Sequence, residues 1–153
     1  MLVLLVASCG GAPPPAKPLP DLTFRLMSGE TWSSRATLGK VVVLDVWATY
    51  CKPCRKAFPK LGRLAASSPD VTVIGVSVDE EAAVVRTFLA EVPASFLVAH
   101  DPERTVEGPP LAIRKLPTVI VLDRSGRVRF RGEEMAETDY DALSGLVAQL
   151  LLE

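Results

Sequence analysis

Two valine-rich apolar runs, separated by an amphipathic segment, constrain the fold of this chain more than any other feature. The first run is KVVVLDVWA (40–48), and the second is VTVIGVSVD (71–79). Continuous apolar runs of this length predict strands that are buried on both faces of a sheet. The segment 53–68 between them places its apolar residues on one helical face, although Pro59 is expected to kink or restart that helix. This order predicts a βαβ unit and hence an α/β protein.

The rest of the sequence continues the α/β pattern. It predicts a second helix at 80–92, two strands at 117–123 and 127–133 that form an antiparallel hairpin, and a final amphipathic helix. Near the start, FRLMSGETW (24–32) has the pattern of a small hairpin. Together these elements predict a central mixed β-sheet with helices on both faces and an N-terminal β-hairpin extension.

The first twenty residues differ in composition from the rest of the chain. An apolar run of eight residues leads into Cys9, and Val6-Ala7-Ser8-Cys9 resembles the lipid-attachment motif of bacterial lipoproteins. No Lys or Arg precedes the run, although signal peptides carry one there, so we expect the true start to lie upstream of Met1. The alternative is an apolar N-terminus whose cysteine is inert. Lipid on Cys9 would hold the chain at a membrane, because the run is too short to span one. Prolines predict an extended tether after the motif, at positions 13, 14, 15, 18 and 20.

These features divide the chain into a lipoprotein-type signal, lipidation site and proline-rich tether at 1–20 and one domain at 21–153. A chain of 153 residues is long enough for one domain with a substantial core. Its net charge of −1 gives no electrostatic basis for binding nucleic acid or an anionic membrane surface. Three cysteines are too few for a disulfide-stapled scaffold. We therefore expect a globular domain that has no nucleic acid among its partners.

Cys51 and Cys54 lie where the first buried strand ends and the following helix begins. A CxxC pair inside a βαβ unit is a thioredoxin-like redox motif. Cys51 is expected at or just before the helix N-cap, where free N–H groups and the helix dipole favour an exposed, nucleophilic thiolate. Cys54, one turn later, is expected to be more buried and close enough to form a disulfide. Pro53 suits the first turn of a helix, and Lys52 either lowers the thiol pKa of Cys51 or is simply solvated.

A metal site is the alternative interpretation of a CxxC pair. Tetrahedral zinc needs four ligands, whereas the chain offers one such pair, His100 and Cys9. His100 alone is expected to be a structural or surface residue. The sequence therefore predicts no metal, and no organic cofactor is expected because a Cys51–Cys54 disulfide itself carries the electrons.

The stretch WATYCKPCR (47–55) carries the most specific resemblance to a known family. It resembles the motif of the TlpA/ResA-type thioredoxin-like proteins, which are membrane-tethered thiol–disulfide oxidoreductases of the bacterial cell envelope. Similarity extends over nearly the whole domain, including DLTFRLMSGETW, VIGVSVDEE and LPTVIVLDRSGRVRFRGE. The resemblance implies a thioredoxin-like fold and a periplasm-facing location with a lipid anchor to a membrane. Its implied partners are substrate proteins with cysteine pairs and a membrane electron donor, and the chain is expected to act as a monomer.

The resemblance also implies roles for residues around the cysteine pair. Leu116-Pro117-Thr118 matches the thioredoxin-fold loop whose proline is cis, so Pro117 would pack against the pair and the Leu116 backbone would pair with substrate. Tyr50 replaces the aromatic residue before the first cysteine and is expected in the substrate-docking patch. Trp47 is expected to pack beside the pair, with a plain core role as the alternative. The expected substrate-binding residues are Trp47, Tyr50, Lys52, Pro53, Leu116 and Thr118.

Two positions depart from the family pattern. Family members often carry a glutamate six positions after the first cysteine, where this chain has Ala57, and usually an asparagine six positions before it, where this chain has Asp45. Burial on the predicted strand should raise the pKa of Asp45. We therefore expect Asp45 to accept the proton of Cys54 when that thiol attacks the mixed disulfide. The alternative is an aspartate paired to a neighbouring backbone group or to Lys40.

The expected reaction is thiol–disulfide exchange, in which Cys51 attacks a substrate disulfide and Cys54 resolves the mixed disulfide. The resemblance, Pro53 beside Cys54 and the buried acid favour a reductant, with cytochrome c maturation as one typical task. The alternatives are a general disulfide oxidase or isomerase, or a non-catalytic binding or metal-delivery module. A peroxiredoxin is disfavoured because Leu44 and Ala48 occupy the positions of its motif's proline and threonine.

Overall fold

The two valine-rich runs form the centre of a seven-stranded sheet. The computed structural model describes residues 17–153, so the expected lipidation site Cys9 and most of the expected tether lie outside the described residues. The strands are β1 (Thr23–Leu26), β2 (Thr31–Ser33), β3 (Val41–Trp47), β4 (Val71–Ser77), β5 (Leu97–His100), β6 (Thr118–Leu122) and β7 (Val128–Glu133). The α-helices are α1 (Lys52–Ala65), α2 (Ala82–Glu91) and α3 (Asp139–Leu151).

Strand order across the sheet is β2-β1-β5-β4-β3-β6-β7. β3 pairs in parallel with β4, and β4 with β5, whereas the other neighbouring strands are antiparallel. All seven residues of β3 are buried, because β3 has a strand on each side and packed side chains on each face. The predicted mixed sheet, βαβ unit and N-terminal hairpin are confirmed.

β5 is a strand that the sequence did not predict. Its residues, LVAH, form a run of only four that ends in a histidine, so they show neither a long apolar stretch nor a clear alternation. β5 pairs with β4 on one side and with β1 on the other. It therefore joins the N-terminal hairpin to the central sheet.

The three α-helices share one face of the sheet. α1 and α3 contribute buried residues to the cluster around Val43, and Phe88 of α2 packs against Trp47 at 4.8 Å between ring centroids. Val43 and Trp47 point to the same face because alternate residues of a strand do so. Val106 packs on the opposite face, within a 3-10 helix at Thr105–Glu107. Helices thus lie on both faces, as predicted. All three α-helices, however, lie on one face, and the short 3-10 helix at Thr105–Glu107 lies on the other face.

The position of β5, the strand that the sequence did not predict, explains why α1 and α2 lie on the same face of the sheet. The chain steps from β3 to β4 and from β4 to β5 in the same direction across the sheet. Crossovers between parallel strands are almost always right-handed, so two successive steps in one direction place both crossover helices on the same face. α1 and α2 are these two crossover helices.

α1 carries the cysteine pair at its first turn. Cys51 is the N-cap residue, with an extended backbone (φ −82°, ψ 101°), and Pro53 lies in the first turn. The helix of 14 residues continues through Pro59, which was expected to kink or restart it. Pro59 has no N–H to donate to the carbonyl of Arg55, but the burial of the helix against the sheet maintains the helical conformation.

Contacts with the domain begin before the predicted boundary at position 21. Pro18 forms a β-bridge with Arg127, and the Leu19 N–H donates to the Gly126 carbonyl oxygen at 3.0 Å. Leu19 also packs against the hydrophobic core. These contacts fasten the end of the expected tether to the hairpin of β6 and β7. Within residues 17–153, no helix combines the length and the hydrophobicity needed to cross a membrane.

Candidate active site

The site is built around a disulfide between Cys51 and Cys54 at the N-terminus of α1. Cys54 is fully buried, and Cys51 retains 8% of its accessible surface. Cys51 is therefore less exposed than predicted, because it packs in the same apolar cluster as Trp47 and Phe58. As the N-cap residue, Cys51 adjoins the first-turn N–H groups of α1, whose partial positive charge stabilises a thiolate after reduction.

Aromatic side chains form the wall behind the disulfide. Trp47 is fully buried, and its ring centroid lies 4.7 Å from that of Phe58 in an edge-to-face arrangement. Phe88 lies 4.8 Å from Trp47 and 5.2 Å from Phe58. This cluster excludes water from the inner side of the disulfide and packs α1 against β3 and α2.

The loop before β6 contributes a cis peptide bond to the site. The Leu116–Pro117 bond is cis, which is the conformation that the family resemblance implied. Leu116 packs against the apolar cluster that contains both cysteines. Thr118, which was expected to contact substrate, is fully buried instead, and its hydroxyl donates to the Lys115 carbonyl oxygen at 2.6 Å. Its side chain therefore shapes the loop and does not line the surface.

Asp45 is a fully buried residue on the face of β3 that α1 covers. On one side of it Val43 packs with α1 and α3, and on the other side Trp47 packs with the cysteines. Asp45 Oδ1 accepts a hydrogen bond from the Tyr140 hydroxyl at 2.9 Å, and Oδ2 has no partner among the described residues. The partner is thus neither Lys40 nor the backbone, the two alternatives that the sequence left open.

Burial raises the pKa of Asp45 to about 7, because the ionised carboxylate loses its hydration there. The Tyr140 hydroxyl acts in the opposite direction, since it donates to the carboxylate and lowers its pKa. Burial and the Asp45 carboxylate both raise the pKa of Tyr140, so the phenol remains protonated and stays a donor. The Asp45 carboxyl group can therefore bind or release a proton near neutral pH.

Tyr140 is a site residue that sequence patterns did not reveal. It lies 95 positions from Asp45, at a buried position of α3. One signal was present, because a tyrosine on the apolar face of an amphipathic helix needs a hydrogen-bond partner for its hydroxyl. The partner could not be identified without the packing of α3 on the sheet.

A second buried aspartate, Asp79, holds the loop that leads into the cysteines. Its carboxylate accepts hydrogen bonds from the Thr49 N–H at 3.0 Å, the Thr49 hydroxyl at 2.7 Å and the Ser77 hydroxyl at 2.7 Å. His100 Nε2 lies 2.7 Å from the Asp79 carbonyl oxygen, which gives His100 a structural role. These contacts connect the ends of β3, β4 and β5 and so fix the loop before Cys51.

The outer side of the disulfide carries three of the residues expected to bind substrate. Tyr50, Lys52 and Pro53 are exposed, and Tyr50 retains 65% of its accessible surface. Arg104 Nη2 donates to the Tyr50 hydroxyl at 2.9 Å. Leu116 is half-buried, and Pro117 is buried. The exposed side chain of Tyr50 therefore directly precedes Cys51, and Leu116 of the cis-proline loop packs against the same apolar cluster as the disulfide.

Metal-ligating side chains are not clustered in the described part of the chain. Within residues 17–153, no group of three or more His, Cys, Asp or Glu side chains is placed to hold a metal ion. The arrangement of the site is that of a dithiol–disulfide centre with a neighbouring proton-binding group.

Comparisons with known proteins agree with this chemistry. A sequence profile for thioredoxin-like proteins matches residues 39–128. The thiol-disulfide oxidoreductase ResA of Bacillus cereus is 29% identical over 125 residues, which cover 79% of this chain and 72% of that protein. The thioredoxin-like protein YneN of Bacillus subtilis is 30% identical over 114 residues, or 72% of this chain and 66% of that protein.

A solved structure extends the similarity to the fold. The crystal structure of a DsbE-type thiol:disulfide interchange protein from Chlorobium tepidum aligns with a TM-score of 0.83 and 29% identity. The alignment covers 92% of this chain and 99% of that chain. The profile match includes Cys51, Cys54, Asp45 and Pro117, whereas Tyr140 lies beyond it.

Proposed function

This chain belongs to the thioredoxin-like family and is a thiol–disulfide oxidoreductase, and on this premise we propose that it reduces disulfides in substrate proteins of the bacterial cell envelope. The observation that carries the proposal is the Cys51–Cys54 disulfide at the start of α1, with a buried carboxyl group on the adjacent strand. The relatives named above are a thiol-disulfide oxidoreductase and a thiol:disulfide interchange protein, which supports the same chemistry.

The first step is attack by reduced Cys51 on one sulfur of a substrate disulfide. The substrate S–S bond breaks, a mixed disulfide with Cys51 forms, and the other substrate sulfur leaves as a thiolate. Attack requires the Cys51 thiolate, which the N-cap position favours through the first-turn N–H groups. Tyr50 and the Leu116 backbone hold the substrate segment beside the sulfur.

The second step is resolution of the mixed disulfide by Cys54. Its sulfur attacks Cys51, the substrate's second sulfur leaves as a thiolate, and the Cys51–Cys54 disulfide forms again. Two electrons pass from the cysteine pair to the substrate. Cys54 is fully buried, so its proton needs an acceptor inside the protein, and the Asp45 carboxylate accepts it. A pKa of about 7 suits Asp45 to this task near neutral pH.

The pH dependence of the reductase rate tests the role of Asp45. The native rate should rise with pH as Asp45 ionises around pH 7, and Asp45→Asn should lose this rise while its amide still accepts the Tyr140 hydrogen bond. Asp101→Asn is a matched control, because Asp101 is also a buried aspartate but binds the turn at Thr105–Glu107. An unchanged profile in Asp45→Asn would exclude the proton-acceptor role.

The buried acid also supports the reducing direction. Once Asp45 is ionised, its negative charge disfavours a thiolate nearby and so destabilises the reduced pair. A destabilised dithiol gives up its electrons more readily, which makes the pair a reductant. Pro53 beside Cys54 and the family resemblance favour the same direction. Cysteine pairs at the haem sites of apocytochrome c are one candidate substrate.

Trapping identifies the substrates directly. Cys54→Ser leaves Cys51 able to attack but removes the resolving thiol, so mixed disulfides should accumulate on Cys51 in the native envelope. The double variant Cys51→Ser, Cys54→Ser is the control and should trap nothing. If Cys54→Ser accumulates no more mixed disulfide than the double variant, the oxidoreductase role in the envelope is refuted.

Attachment to a membrane through Cys9 is the second part of the proposal. Val6-Ala7-Ser8-Cys9 supports lipid attachment there, and it lies outside the residues that the structure describes. Each turnover leaves Cys51 and Cys54 oxidised, so a membrane electron donor must reduce them again. Anchoring keeps the protein close to this donor. Cys9→Ser should move the protein from the membrane fraction to the soluble fraction, and unchanged fractionation would contradict the anchor.

A further inference from the structure

A cavity with a basic rim lies beside the disulfide. It has a volume of about 290 Å³, and its lining includes Tyr50, which precedes Cys51, and Leu116, which precedes the cis proline and packs against the apolar cluster that contains both cysteines. Three apolar residues line it, Val78, Val106 and Ile113, together with four ionised side chains, Arg104, Glu107, Arg114 and Lys115. We propose that this basic cavity binds an acidic side chain of the substrate protein, close in sequence to the cysteine that Cys51 attacks. The proposal rests on the reductase function and adds the substrate class that the enzyme prefers.

Arg104 organises the wall of the basic cavity. Its Nη2 donates to the Tyr50 hydroxyl at 2.9 Å, and its Nη1 pairs with Glu107 Oε1 at 3.0 Å. Its backbone lies in the left-handed region, with φ 55°, which is uncommon for a residue other than glycine. The Arg104 charge is thus matched by Glu107, and its guanidinium holds Tyr50 at the edge of the cavity.

Arg114 supplies the charge that remains unmatched. Of the three cations that line the basic cavity, Arg104 pairs with Glu107 and Lys115 pairs with Glu134 at 2.6 Å. Arg114 instead donates to the carbonyl oxygens of Glu107 and Ile113, and it forms no ion pair with any residue of the described part of the chain. Carbonyl oxygens hold the guanidinium without neutralising it, and its other N–H groups stay free to bind a carboxylate.

The position of the basic cavity connects it to the reaction. Tyr50 and the Leu116 backbone, which in the proposed function hold the substrate segment bonded to Cys51, are also two of the residues that line the cavity. A side chain a few positions from the substrate cysteine therefore reaches the rim. An acidic side chain complements Arg114, whereas a basic one would meet three cations and a single carboxylate.

Peptide disulfides that differ at one position test the proposal. The substrates are matched peptides that carry Glu, Gln or Lys at each of several positions flanking the reacting cysteine, and the second-order rate constant for their reduction by the pre-reduced full chain is measured in single turnover at low and high salt. We expect Glu to exceed Gln by about two- to five-fold at one position, with Lys below Gln, and we expect salt to reduce the preference.

Two variants separate a local contact from a general charge effect. Arg114→Gln should bring the Glu:Gln ratio to about one, whereas Arg86→Gln, an exposed residue of α2 outside the cavity, should leave the ratio unchanged. Equal rates for Glu and Gln peptides at every position, or equal loss of preference in both variants, would overturn the proposal. If no peptide is reduced at all, the reductase function itself fails, which is a different outcome.

Discussion

Asp45 holds a carboxyl group in a strand whose other six residues are all apolar and buried. Water does not reach it, and the hydrogen bond from Tyr140 is the only described contact that favours its ionised form. An ionised carboxylate is costly in such surroundings, so the group is neutral below about pH 7 and charged above it. Both the stability and the chemistry of the site therefore depend on pH through this residue.

Stability should fall as Asp45 ionises. Its pKa is about 7 in the folded protein and near 3.8 when unfolded, so the folded state holds the proton more tightly. Binding of this proton stabilises the folded state in full below about pH 3.8. This contribution to the free energy of unfolding, roughly 4 kcal/mol in all, is lost as the pH rises through about 7. Urea unfolding of the oxidised protein between pH 4 and 8 should show this loss in the native chain and not in Asp45→Asn. Parallel pH dependences in the two proteins would contradict the assignment.

Tyr140 should set the pH at which the enzyme works. Tyr140→Phe removes the donor but keeps the ring, so the pKa of Asp45 rises above its native value and the midpoint of the rate–pH profile moves to higher pH. Adding Asp45→Asn to this variant is the control, because the shift should vanish when no carboxyl group remains to titrate. An unchanged midpoint in Tyr140→Phe would show that the hydroxyl does not act on the proton transfer.

At the scale of elements, Gly75 of β4 leaves space for the aromatic side chains that pack behind the disulfide. Gly75 lies opposite Asp45 in the register of β3 and β4. A Cβ atom there would lie 3.1 Å from Trp47 Nε1 and 3.0 Å from Phe96 Cε2. Trp47 is fully buried between Phe58 and Phe88 and has no room to withdraw. The absence of a side chain at this position therefore lets Trp47 and Phe96 pack closely against β4 behind the disulfide.

Two glycine substitutions should have opposite effects on stability. Gly75→Ala overpacks the aromatic cluster and should destabilise the protein by about 1–3 kcal/mol. Gly145→Ala is the matched control, because Gly145 is exposed on α3 with no atom near the added methyl group, and it should stabilise by about 0.5–1 kcal/mol. Urea midpoints of the oxidised proteins measure both, and a Gly75→Ala variant as stable as the native chain would refute the packing argument.

Elements with long, regular patterns could be predicted from the sequence, as could the short hairpin of β1 and β2 with its turn residues, but β5 shows neither signal. β3, β4 and the helices have apolar runs or helical spacing over many residues, so their existence followed from periodicity. β5 has four residues, and its absence from the prediction also hid the one-sided placement of α1 and α2. The same limit applies within the site, where the burial of Asp45 followed from its strand but its partner Tyr140 depends on how α3 packs.

At the scale of the whole molecule, the topology gathers the site at one edge of the sheet. The parallel strands β3, β4 and β5 all end there, and they are followed by Cys51, Asp79 and Arg104 respectively. The antiparallel strand β6 begins at the same edge, directly after Pro117. Loops at the carboxyl ends of parallel strands are the usual place for a binding site in an α/β sheet. The disulfide, its support and the basic cavity therefore lie together although they come from distant parts of the chain.

A reductant should be more stable to unfolding when oxidised than when reduced. Folding and redox state are linked, so a fold that destabilises the dithiol must favour the disulfide form by the same free energy. We expect the oxidised protein to unfold at a higher urea concentration than the protein kept in dithiothreitol. A Cys51→Ser, Cys54→Ser variant is the control, because its midpoint should not respond to dithiothreitol. A reduced form that is the more stable one would indicate an oxidase.

The reduction potential of the Cys51–Cys54 pair tests the central claim most directly. The full chain is equilibrated at pH 7 in buffers of graded redox potential, and the reduced fraction is read from labelling of the Cys51 and Cys54 thiols. We predict a potential near that of thioredoxin, about −270 mV, which makes the pair an effective donor of electrons to protein disulfides. A potential near that of DsbA, about −120 mV, would contradict the account and assign the protein to disulfide formation.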